Sequence, residues 1–446
     1  MDYHLLLSEI RVKISKLYPT LGINKKREIE RLIFEIAKIK NSPELSFLDE
    51  KYKSYENLKR KLLKLRFPVL YNKVPLDKFY LPKLDLSKEY ELKKEKLDIN
   101  PEYIYYEKET EGLEILNNLK EKFPKAQFIK IDRLKEIKEK LSHYNYNERT
   151  KNIIVVKEKF DFLKNCPCTK NCVSCHYFII NLGFGCPFEC TYCYLQGYQN
   201  INAIILPANI DDFFKEFKEK FSNIKRKIRI GSGEFTDSLA FDHITDFSSK
   251  IVSFFKNIEN VYFELKTKSP DISNLIKIEP SKNIVISYSL NPQNISNTEE
   301  LFTAKISDRI KNLKILYDYG YSVAFHLDPI IAFEKWEAMY MDLINEINKN
   351  CTEVEFKWIS LGSFRFNPEI KKTIEQRFPH SKIMDSEMAL DFDKKLRYHF
   401  DKRYEIYSKI LGYLTKYKIK ASNIYLCMES KEMWDKLKLK TDFNWR

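Results

Sequence analysis

The sequence lacks any long apolar run and any repeat with a fixed period. No uninterrupted apolar stretch approaches the roughly 18–20 residues that a membrane-spanning helix needs. The first residues, MDYHLLLSEIRVK, also lack the basic segment and apolar core that are typical of a secretory signal. We therefore expect a cytoplasmic protein that makes no contact with a membrane.

The composition is that of a large globular chain with an excess of positive charge. The 446 residues are 43% hydrophobic and 14% aromatic, which predicts two or three domains and excludes global disorder. The formal net charge of +14 favours polyanionic partners, nucleic acid first. A coding bias toward Lys, Ile and Asn would produce the same excess, so charge alone leaves contact with DNA open.

Cysteine is concentrated in one short part of the chain. Seven of the nine cysteines lie between Cys166 and Cys193. Because a reducing cytoplasm disfavours disulfides, clustered cysteines are better interpreted as metal ligands or catalytic groups. This segment is therefore the first place to look for a functional site.

From about residue 176 onward, short apolar runs alternate with helix-like segments. The runs predict strands at residues 177–182, 227–230, 260–265, 284–289, 322–327 and 356–361. Strands that alternate with helices form parallel sheets built from βα units. Six units predict an α/β fold with a partial (β/α)6 TIM-like barrel that is open on one side. Functional side chains of such barrels lie at the carboxyl ends of the strands.

The chain before the barrel is predicted to be mainly helical. Apolar residues recur at helical spacing along residues 5–17 and 29–39. Three prolines between Phe67 and Leu86 indicate a connecting segment, and residues 153–156 could form a strand. We expect residues 1–160 to be a mainly helical accessory region, and residues 161–446 to be the barrel with a C-terminal extension.

Cys186, Cys190 and Cys193 follow the first predicted strand with CxxxCxxC spacing. Three thiolates can hold three irons of a [4Fe-4S] cluster and leave the fourth iron open for the amino and carboxylate groups of S-adenosylmethionine (SAM). A zinc site or buried thiols without metal are the alternatives. The spacing, the aromatic Tyr194 and the preceding strand favour a radical SAM cluster.

A glycine-rich turn follows the second predicted strand of the barrel. It reads Gly231-Ser232-Gly233-Glu234, and its glycines would let the backbone approach a ligand closely. A single GxGE motif is weak, but its position one βα unit after the cysteine loop matches the turn that binds the SAM amino group in radical SAM enzymes.

Several motifs, taken in order, resemble those of the spore photoproduct lyase family. The resemblance runs from about Cys166 to Trp434 and leaves roughly the first 160 residues uncovered. The matching segments are CYLQ at 193–196, GEFTDS at 233–238, TKS at 267–269, SYSLN at 287–291, FHLDPI at 325–330, WISLG at 358–362 and YLCME at 425–429.

This resemblance implies a carbon–carbon lyase that repairs a thymine dimer in DNA. SAM would be cleaved to a 5′-deoxyadenosyl radical, and that radical would abstract a hydrogen from the lesion. The family's SAM contacts map onto Gly233, Glu234, Lys268, Ser289 and Asn291.

Two tyrosines flank the third cysteine of the motif. In the family, tyrosines at the positions of Tyr192 and Tyr194 are proposed to relay a hydrogen atom. Aromatic packing around the cluster is the alternative role for both rings.

The chain departs from the family at the hydrogen donor. The family's donor cysteine precedes a Ser-Asp and an Asp-His pair, but residues 233–243 read GEFTDSLAFDH and contain no cysteine. Glu234 or Phe235 occupies the donor position, and neither offers a weak S–H bond. A different substrate, such as RNA or a small molecule, is therefore an alternative, and a non-catalytic Fe-S protein that binds nucleic acid is a third.

Four more cysteines precede the first barrel strand: Cys166, Cys168, Cys172 and Cys175. They could bind a second iron–sulfur cluster or a zinc ion. Structural thiols, a redox-active cysteine or the missing hydrogen donor are the alternatives. The expected partners are DNA and an electron donor such as flavodoxin or ferredoxin.

Overall fold

The computed structural model describes residues 1–42, 54–142, 145–159, 164–221 and 225–443. Its α-helices are α1 (Tyr3–Leu17), α2 (Ile23–Lys40), α3 (Tyr55–Arg66), α4 (Glu114–Lys122), α5 (Lys135–Lys138), α6 (Leu195–Tyr198), α7 (Ile210–Phe221), α8 (Asp242–Thr245), α9 (Phe247–Phe255), α10 (Gln293–Glu299), α11 (Ile306–Tyr319), α12 (Trp336–Asn350), α13 (Ile370–Arg377), α14 (Phe400–Lys416) and α15 (Lys431–Lys436). None of these described helices is both long and apolar enough to cross a membrane.

The strands are mostly short. They are β1 (Tyr103–Glu107), β2 (Gln127–Ile131), β3 (Asn152–Val156), β4 (Lys164–Asn165), β5 (Tyr177–Ile179), β6 (Glu189–Cys190), β7 (Ile204–Pro207), β8 (Ile228–Ser232), β9 (Val261–Thr267), β10 (Ile284–Ser289), β11 (Glu300–Leu301), β12 (Ser322–Ile330), β13 (Glu355–Phe356), β14 (Ile359–Ser363), β15 (Arg365–Phe366), β16 (Ala389–Leu390), β17 (Leu396–Arg397), β18 (Lys420–Ala421) and β19 (Ile424–Leu426).

The chain divides into two compact units. We define the helical unit as Met1–Lys93 with Phe364–Arg403, and the barrel unit as Lys94–Ser363 with Tyr404–Arg446. These units follow from contacts within the chain, and the sequence-based domain division at residue 160 stays a prediction.

The helical unit is built around α1, α2 and α3. Apolar residues three and four positions apart, such as Leu6, Ile10 and Ile14 of α1, are buried in one shared core. Asp2 caps α1 by accepting backbone hydrogen bonds from His4 and Leu5 at 2.8 and 3.1 Å. The predicted helices before residue 65 are therefore confirmed.

The barrel unit contains an eight-stranded sheet in the order β19-β14-β12-β10-β9-β8-β5-β4. All neighbouring strands from β5 to β19 pair in parallel, and only β4 runs antiparallel to its neighbour β5. The six predicted strands correspond to β5, β8, β9, β10, β12 and β14, which confirms the partial barrel. Both β8 and β10 are buried along their whole length, as expected for parallel strands covered on both faces.

A second parallel sheet lies in the barrel unit, in the order β2-β1-β3-β7. The predicted strand at residues 153–156 is part of β3, and it pairs with β1 on one side and with β7 on the other. Because β7 is the first strand after the cysteine loop, with α6 between them, this sheet anchors the chain that leaves the loop.

Candidate functional site

The cysteine loop lies at the carboxyl end of β5, as the sequence predicted. Within it, β6 pairs antiparallel with β11, and this pairing places Cys190 opposite Glu300. Thr191 adds a backbone hydrogen bond to the Glu299 carbonyl at 2.9 Å and a hydroxyl hydrogen bond to its carboxylate at 2.6 Å. The loop is therefore held against the segment that follows α10.

Arg149 holds the same loop from its other side. Its guanidinium donates to the carbonyl oxygens of Cys186 and Phe188 at 2.7 and 2.8 Å. It also donates to the carboxylate of Glu189 at 2.8 Å, and both of these charged side chains are buried. One buried cation thus fixes three successive parts of the loop. Arg149 lies far before the motif in the sequence, so sequence analysis missed it.

Of the motif cysteines, Cys190 is buried, and Cys186 and Cys193 are half-buried. Burial raises the pKa of Cys190 to about 12, although the nearby Lys268 opposes part of this shift. Burial also raises the pKa of Cys186 well above its ordinary value, and Asp237 and Cys193 add to the rise. These thiols are therefore protonated in the metal-free chain, and metal binding there would release protons.

The three motif cysteines suit an iron–sulfur cluster by the chemistry of their donor set. All three sit in one short loop, and both Cys190 and Cys193 lie close enough to influence the pKa of Cys186. Among the described residues, no group of three or more His, Cys, Asp or Glu side chains converges closely enough to hold a metal ion.

Glu300 is the centre of a buried hydrogen-bond network beside Cys190. Its carboxylate accepts from Tyr192 Oη, from Asn291 Nδ2 at 2.9 Å and from Arg309 Nη1 at 2.7 Å. Burial alone would raise the pKa of Glu300, but Arg309 and Lys268 lower it to about 2. The carboxylate therefore stays ionised and fixes the groups around it.

Lys268 reaches this network from the end of β9. Its Nζ lies 4.0 Å from the Glu300 carboxylate and 5.6 Å from the centre of the Tyr192 ring. Burial alone would lower the pKa of Lys268, but Cys190 and Glu300 outweigh it and raise the pKa. The ammonium therefore remains charged in a mostly buried position, where it could pair with an anionic ligand.

The glycine-rich turn has little space for side chains. A Cβ at Gly231 would lie 1.7 Å from the Tyr177 hydroxyl, and Gly233 has a φ of +97°. Asp237 ties the turn to the end of β9 by accepting from the Thr267 hydroxyl and from the Lys268 backbone, both at 2.6 Å.

The two motif tyrosines have different surroundings. Tyr192 is enclosed and donates to Glu300, whereas Tyr194 is 40% exposed and donates to the Glu234 carbonyl at 2.5 Å. Tyr194 therefore links the cysteine loop directly to the backbone of the glycine-rich turn at Glu234.

Several polar atoms in the barrel unit are buried without a hydrogen-bond partner among the described residues. They include Oε2 of Glu234 and the hydroxyls of Ser287 and Ser360. An unsatisfied buried polar atom costs about 1–3 kcal/mol, so such atoms indicate room for a polar ligand. Burial also raises the pKa of Glu234.

The predicted cofactor residues fall into two groups. Lys268 and Asn291 meet at Glu300, and Gly233 and Glu234 lie in the glycine-rich turn. The Asn291 amide is already engaged, because its oxygen accepts from Tyr340 at 2.7 Å while its nitrogen donates to Glu300. Ser289 is buried at the end of β10, where its carbonyl accepts from Arg309 at 2.8 Å.

The barrel interior holds a second network centred on Glu264. This carboxylate accepts from Arg229 at 2.7 Å, from Trp358 at 2.9 Å, and pairs with His326 at 2.8 Å. Burial alone would raise the pKa of Glu264, but Arg229 and His326 lower it well below its ordinary value. His326 of the FHLDPI segment is therefore part of the barrel interior.

The upstream cysteine segment links the two edges of the barrel sheet. Cys166 donates its backbone N–H to Tyr177 of β5 at 2.8 Å, and Cys172 forms an antiparallel bridge with Ser430, just beyond β19. The Cys166 thiol hydrogen-bonds with Cys168, which together with burial raises its pKa, and Cys427 and Cys175 raise it further. Sequence analysis could not place Cys427 in this group.

Comparison with known proteins gives one consistent family. A family model described as "Spore photoproduct lyase" matches residues 100–411. The spore photoproduct lyase of Clostridium acetobutylicum is 26% identical over 206 residues, which cover 46% of this chain and 61% of that protein. The spore photoproduct lyase of a Geobacillus species is 24% identical over 323 residues, which cover 69% and 89% of the two chains.

Solved structures of spore photoproduct lyase share the fold. The structure complexed with dinucleoside spore photoproduct matches with a TM-score of 0.64 at 20% identity, over 74% of this chain and 99% of that one. A variant with bound AdoMet and dinucleoside spore photoproduct matches with a TM-score of 0.63 at 20% identity, over 73% and 98%.

Proposed function

Because the chain belongs to the spore photoproduct lyase family, we propose that it is a radical SAM enzyme that repairs a thymine dimer in DNA. The observation that carries the proposal is the loop at the carboxyl end of β5, which holds Cys186, the buried Cys190 and Cys193 beside Lys268. The substrate class, a thymine dimer of DNA, is taken from the relatives, which are spore photoproduct lyases.

The three motif cysteines would hold a [4Fe-4S] cluster. When bound, this cluster would supply one electron that cleaves SAM to a 5′-deoxyadenosyl radical. The chain's own part is to fix the loop through Arg149 and Glu300, and to keep it buried.

The residues around the loop would orient SAM. The charged Lys268 suits the SAM carboxylate, and the unpartnered carboxylate oxygen of Glu234 suits the amino group. Ser289 lies at the end of β10, which pairs with β9 on the side away from β8, while Asn291 would act through Glu300 because its amide is engaged there.

Tyr194 is the better candidate for a hydrogen relay. Tyr192 donates its hydroxyl to an ionised carboxylate, and this interaction raises the pKa of Tyr192 along with burial. Tyr194 instead lies partly exposed and bonds to the backbone of Glu234, which with Phe235 is one of the two candidates for the position of the absent donor cysteine. Tyr192 would then have the alternative role, in which its ring packs beside the cluster.

Some details extend beyond this activity. A second metal site at Cys166, Cys168, Cys172 and Cys175 is supported by the contact between the first two thiols and by the nearby Cys175. We also propose a cytoplasmic location and an electron donor such as flavodoxin or ferredoxin, since the proposed chemistry needs one electron.

The absence of a cysteine from residues 233–243 favours a second candidate function. Glu234 and Phe235 cannot donate a hydrogen atom from a weak S–H bond, so the thymine radical would need another donor. The same radical chemistry could then act on RNA or a small molecule.

One anaerobic assay separates these functions. The chain is reconstituted with iron and sulfide, reduced with dithionite and given SAM, with and without DNA carrying 5-thyminyl-5,6-dihydrothymine. Formation of 5′-deoxyadenosine together with conversion of the lesion to thymine is the expected result. Deoxyadenosine with a surviving lesion would favour another substrate, and an intact cluster without deoxyadenosine would favour the non-catalytic alternative.

A further inference from the structure

The positive charge of this chain is concentrated in the helical unit. That unit carries 31 Lys and Arg against 20 Asp and Glu, whereas the larger barrel unit carries 46 against 43. The excess is therefore +11 in the smaller unit and +3 in the larger one. A uniform coding bias toward Lys would raise the net charge of both units, so it does not explain why the excess lies in one of them.

Several carboxylates of the helical unit are neutralised in its interior. Glu35 pairs with Arg31 at 2.9 Å, with Arg66 at 2.7 Å and with Lys371 at 3.0 Å. Asp393 pairs in the same way with the buried Arg397. These two carboxylates are shared among four cations, so the interior keeps part of the excess positive charge and the rest belongs to the other residues of the unit.

One cavity of about 350 Å³ gathers part of this remaining charge. It is lined by residues of α1 and α2 and by Lys83, and its basic side chains are Arg11, Lys26, Arg27 and Lys83. The lining contains one carboxylate, Glu30, which is bonded to Arg11 at 2.8 Å. The residues that line the cavity therefore carry a net formal charge of +3.

The apolar residues beside the cavity do not form a membrane-binding face. Val12 is 67% exposed and Ile23 is 61% exposed, but the apolar face of α1 is buried in the core of the unit through Leu7, Ile10 and Ile14. A helix that inserts into a lipid interface needs that face free. Isolated apolar residues among cations instead suit a sugar–phosphate backbone, where the cations contact the phosphates and the apolar groups contact sugar carbons.

We propose that this cavity, together with the exposed face of α1 and α2 around it, binds the sugar–phosphate backbone of duplex DNA. The choice of DNA rests on the proposed function, whereas the location rests on charge and shape. The family model begins at residue 100, so none of the cavity residues lies within the matched region. The helical unit would thus be a DNA anchor that is independent of sequence.

The test compares two triple charge reversals in the full chain. The cavity variant combines Lys26→Glu and Arg27→Glu on α2 with Lys83→Glu. The matched control is Lys215→Glu, Lys218→Glu and Lys220→Glu on the exposed face of α7 in the barrel unit. Binding to a lesion-free fluorescent duplex is measured by anisotropy over a range of salt concentrations, after circular dichroism has verified folding.

The cavity variant should bind the duplex about 10-fold or more weakly, and the slope of log K against log salt should fall by roughly 2 to 3, since each lost phosphate contact removes about 0.9. The α7 variant should lose much less affinity for the duplex, and its salt slope should change less. Equal losses in the two variants, or unchanged binding in the cavity variant, would overturn the inference. So would a cavity variant that loses binding to phosphatidylserine vesicles while keeping its affinity for DNA.

A second readout keeps this inference separate from the proposed function. Deoxyadenosine formation with a dinucleoside lesion should be unchanged in the cavity variant, because that short substrate has no flanking backbone to bind. Weaker duplex binding with unchanged dinucleoside turnover supports the anchor. If the unaltered chain turns over SAM but binds no duplex, the anchor is wrong whatever the substrate proves to be.

Discussion

Arg149 Nη1 lies 2.8 Å from Glu189 Oε1, and both side chains are almost completely shielded from solvent. The same guanidinium donates to the carbonyls of Cys186 and Phe188, so the ion pair is tied to the backbone of the cysteine loop by two hydrogen bonds. Burial alone would lower the pKa of Arg149, but Glu189 raises it, and the guanidinium keeps its charge. The geometry of the loop proposed to hold the cluster is here fixed by a side chain outside the cysteine motif.

Replacing Arg149 should therefore impair assembly of the cluster. In Arg149→Gln, Glu189 loses its buried partner, and removal of one member of a buried ion pair costs about 3–5 kcal/mol. We expect a lower melting temperature and fewer iron atoms per chain after reconstitution. Arg149→Lys should recover part of the stability but little of the iron, because one ammonium cannot bond to several acceptors in a plane.

Arg133→Gln is the matched control for this prediction. Arg133 is an exposed arginine of the same barrel unit, so its loss should change neither iron content nor melting temperature. An Arg149→Gln chain that binds iron as well as the unaltered chain would show that the loop holds its shape without this residue.

The cysteine ligands themselves give a second prediction. Serine at Cys186, Cys190 or Cys193 should reduce the iron content and abolish 5′-deoxyadenosine formation, since a hydroxyl is a poor ligand for iron in a cluster. Cys351→Ser is the control, because this buried cysteine directly after α12 lies outside the motif. Iron analysis and the visible absorbance of the reconstituted cluster check the outcome.

Local spacing explains what the sequence could predict. Short segments of sequence specify the barrel strands, the cysteine loop and the glycine-rich turn. The residues of each segment act together because they are neighbours in the chain. Arg149 and Glu300 carry no such pattern, and the YLCME segment that contains Cys427 does not indicate which distant cysteines lie beside it. These residues reach their sites through pairing of distant segments, as Glu300 does through β11 and Cys427 through the edge strand β19.

The second sheet shows the same limit in the fold. β7 lies between the cysteine loop and α7 and ends at Pro207, so its four residues gave no clear strand pattern. Its pairing with β3 is parallel and joins residues that are far apart in the sequence, such as Ile153 and Ile204. Such pairing depends on packing that periodicity alone does not encode.

The two motif tyrosines should behave differently when their hydroxyls are removed. Tyr192→Phe removes a donor from the buried Glu300, so we expect a loss of about 1–3 kcal/mol in unfolding free energy. Tyr194→Phe should change stability little, because Tyr194 is partly exposed and its acceptor is a backbone carbonyl that solvent can reach. It should instead slow conversion of the lesion while SAM cleavage continues.

Melting curves and single-turnover assays distinguish these two outcomes. A stable Tyr192→Phe chain would mean that Asn291 and Arg309 suffice to hold Glu300. A Tyr194→Phe chain that converts the lesion at the normal rate would exclude Tyr194 as a relay.

The helical unit should lose stability in acid through Glu35. Burial alone would raise the pKa of this carboxyl, but Lys371, Arg66 and Arg31 lower it well below its ordinary value. A carboxyl whose pKa is lower in the folded chain stabilises the fold above its unfolded pKa near 4.5. That contribution is lost as the pH falls below 4.5 toward the folded pKa.

Glu35→Gln tests the sign of this effect. At pH 7 the variant should be about 3–5 kcal/mol less stable, because three buried cations lose their shared partner. Its stability should then fall less steeply between about pH 5 and 3 than that of the unaltered chain, since the titrating group is gone. The exposed Glu9→Gln serves as the control. The measurement is unfolding followed by helical circular dichroism at each pH. If the stability of Glu35→Gln and of the unaltered chain falls equally steeply in acid, the acid-sensitive group lies elsewhere.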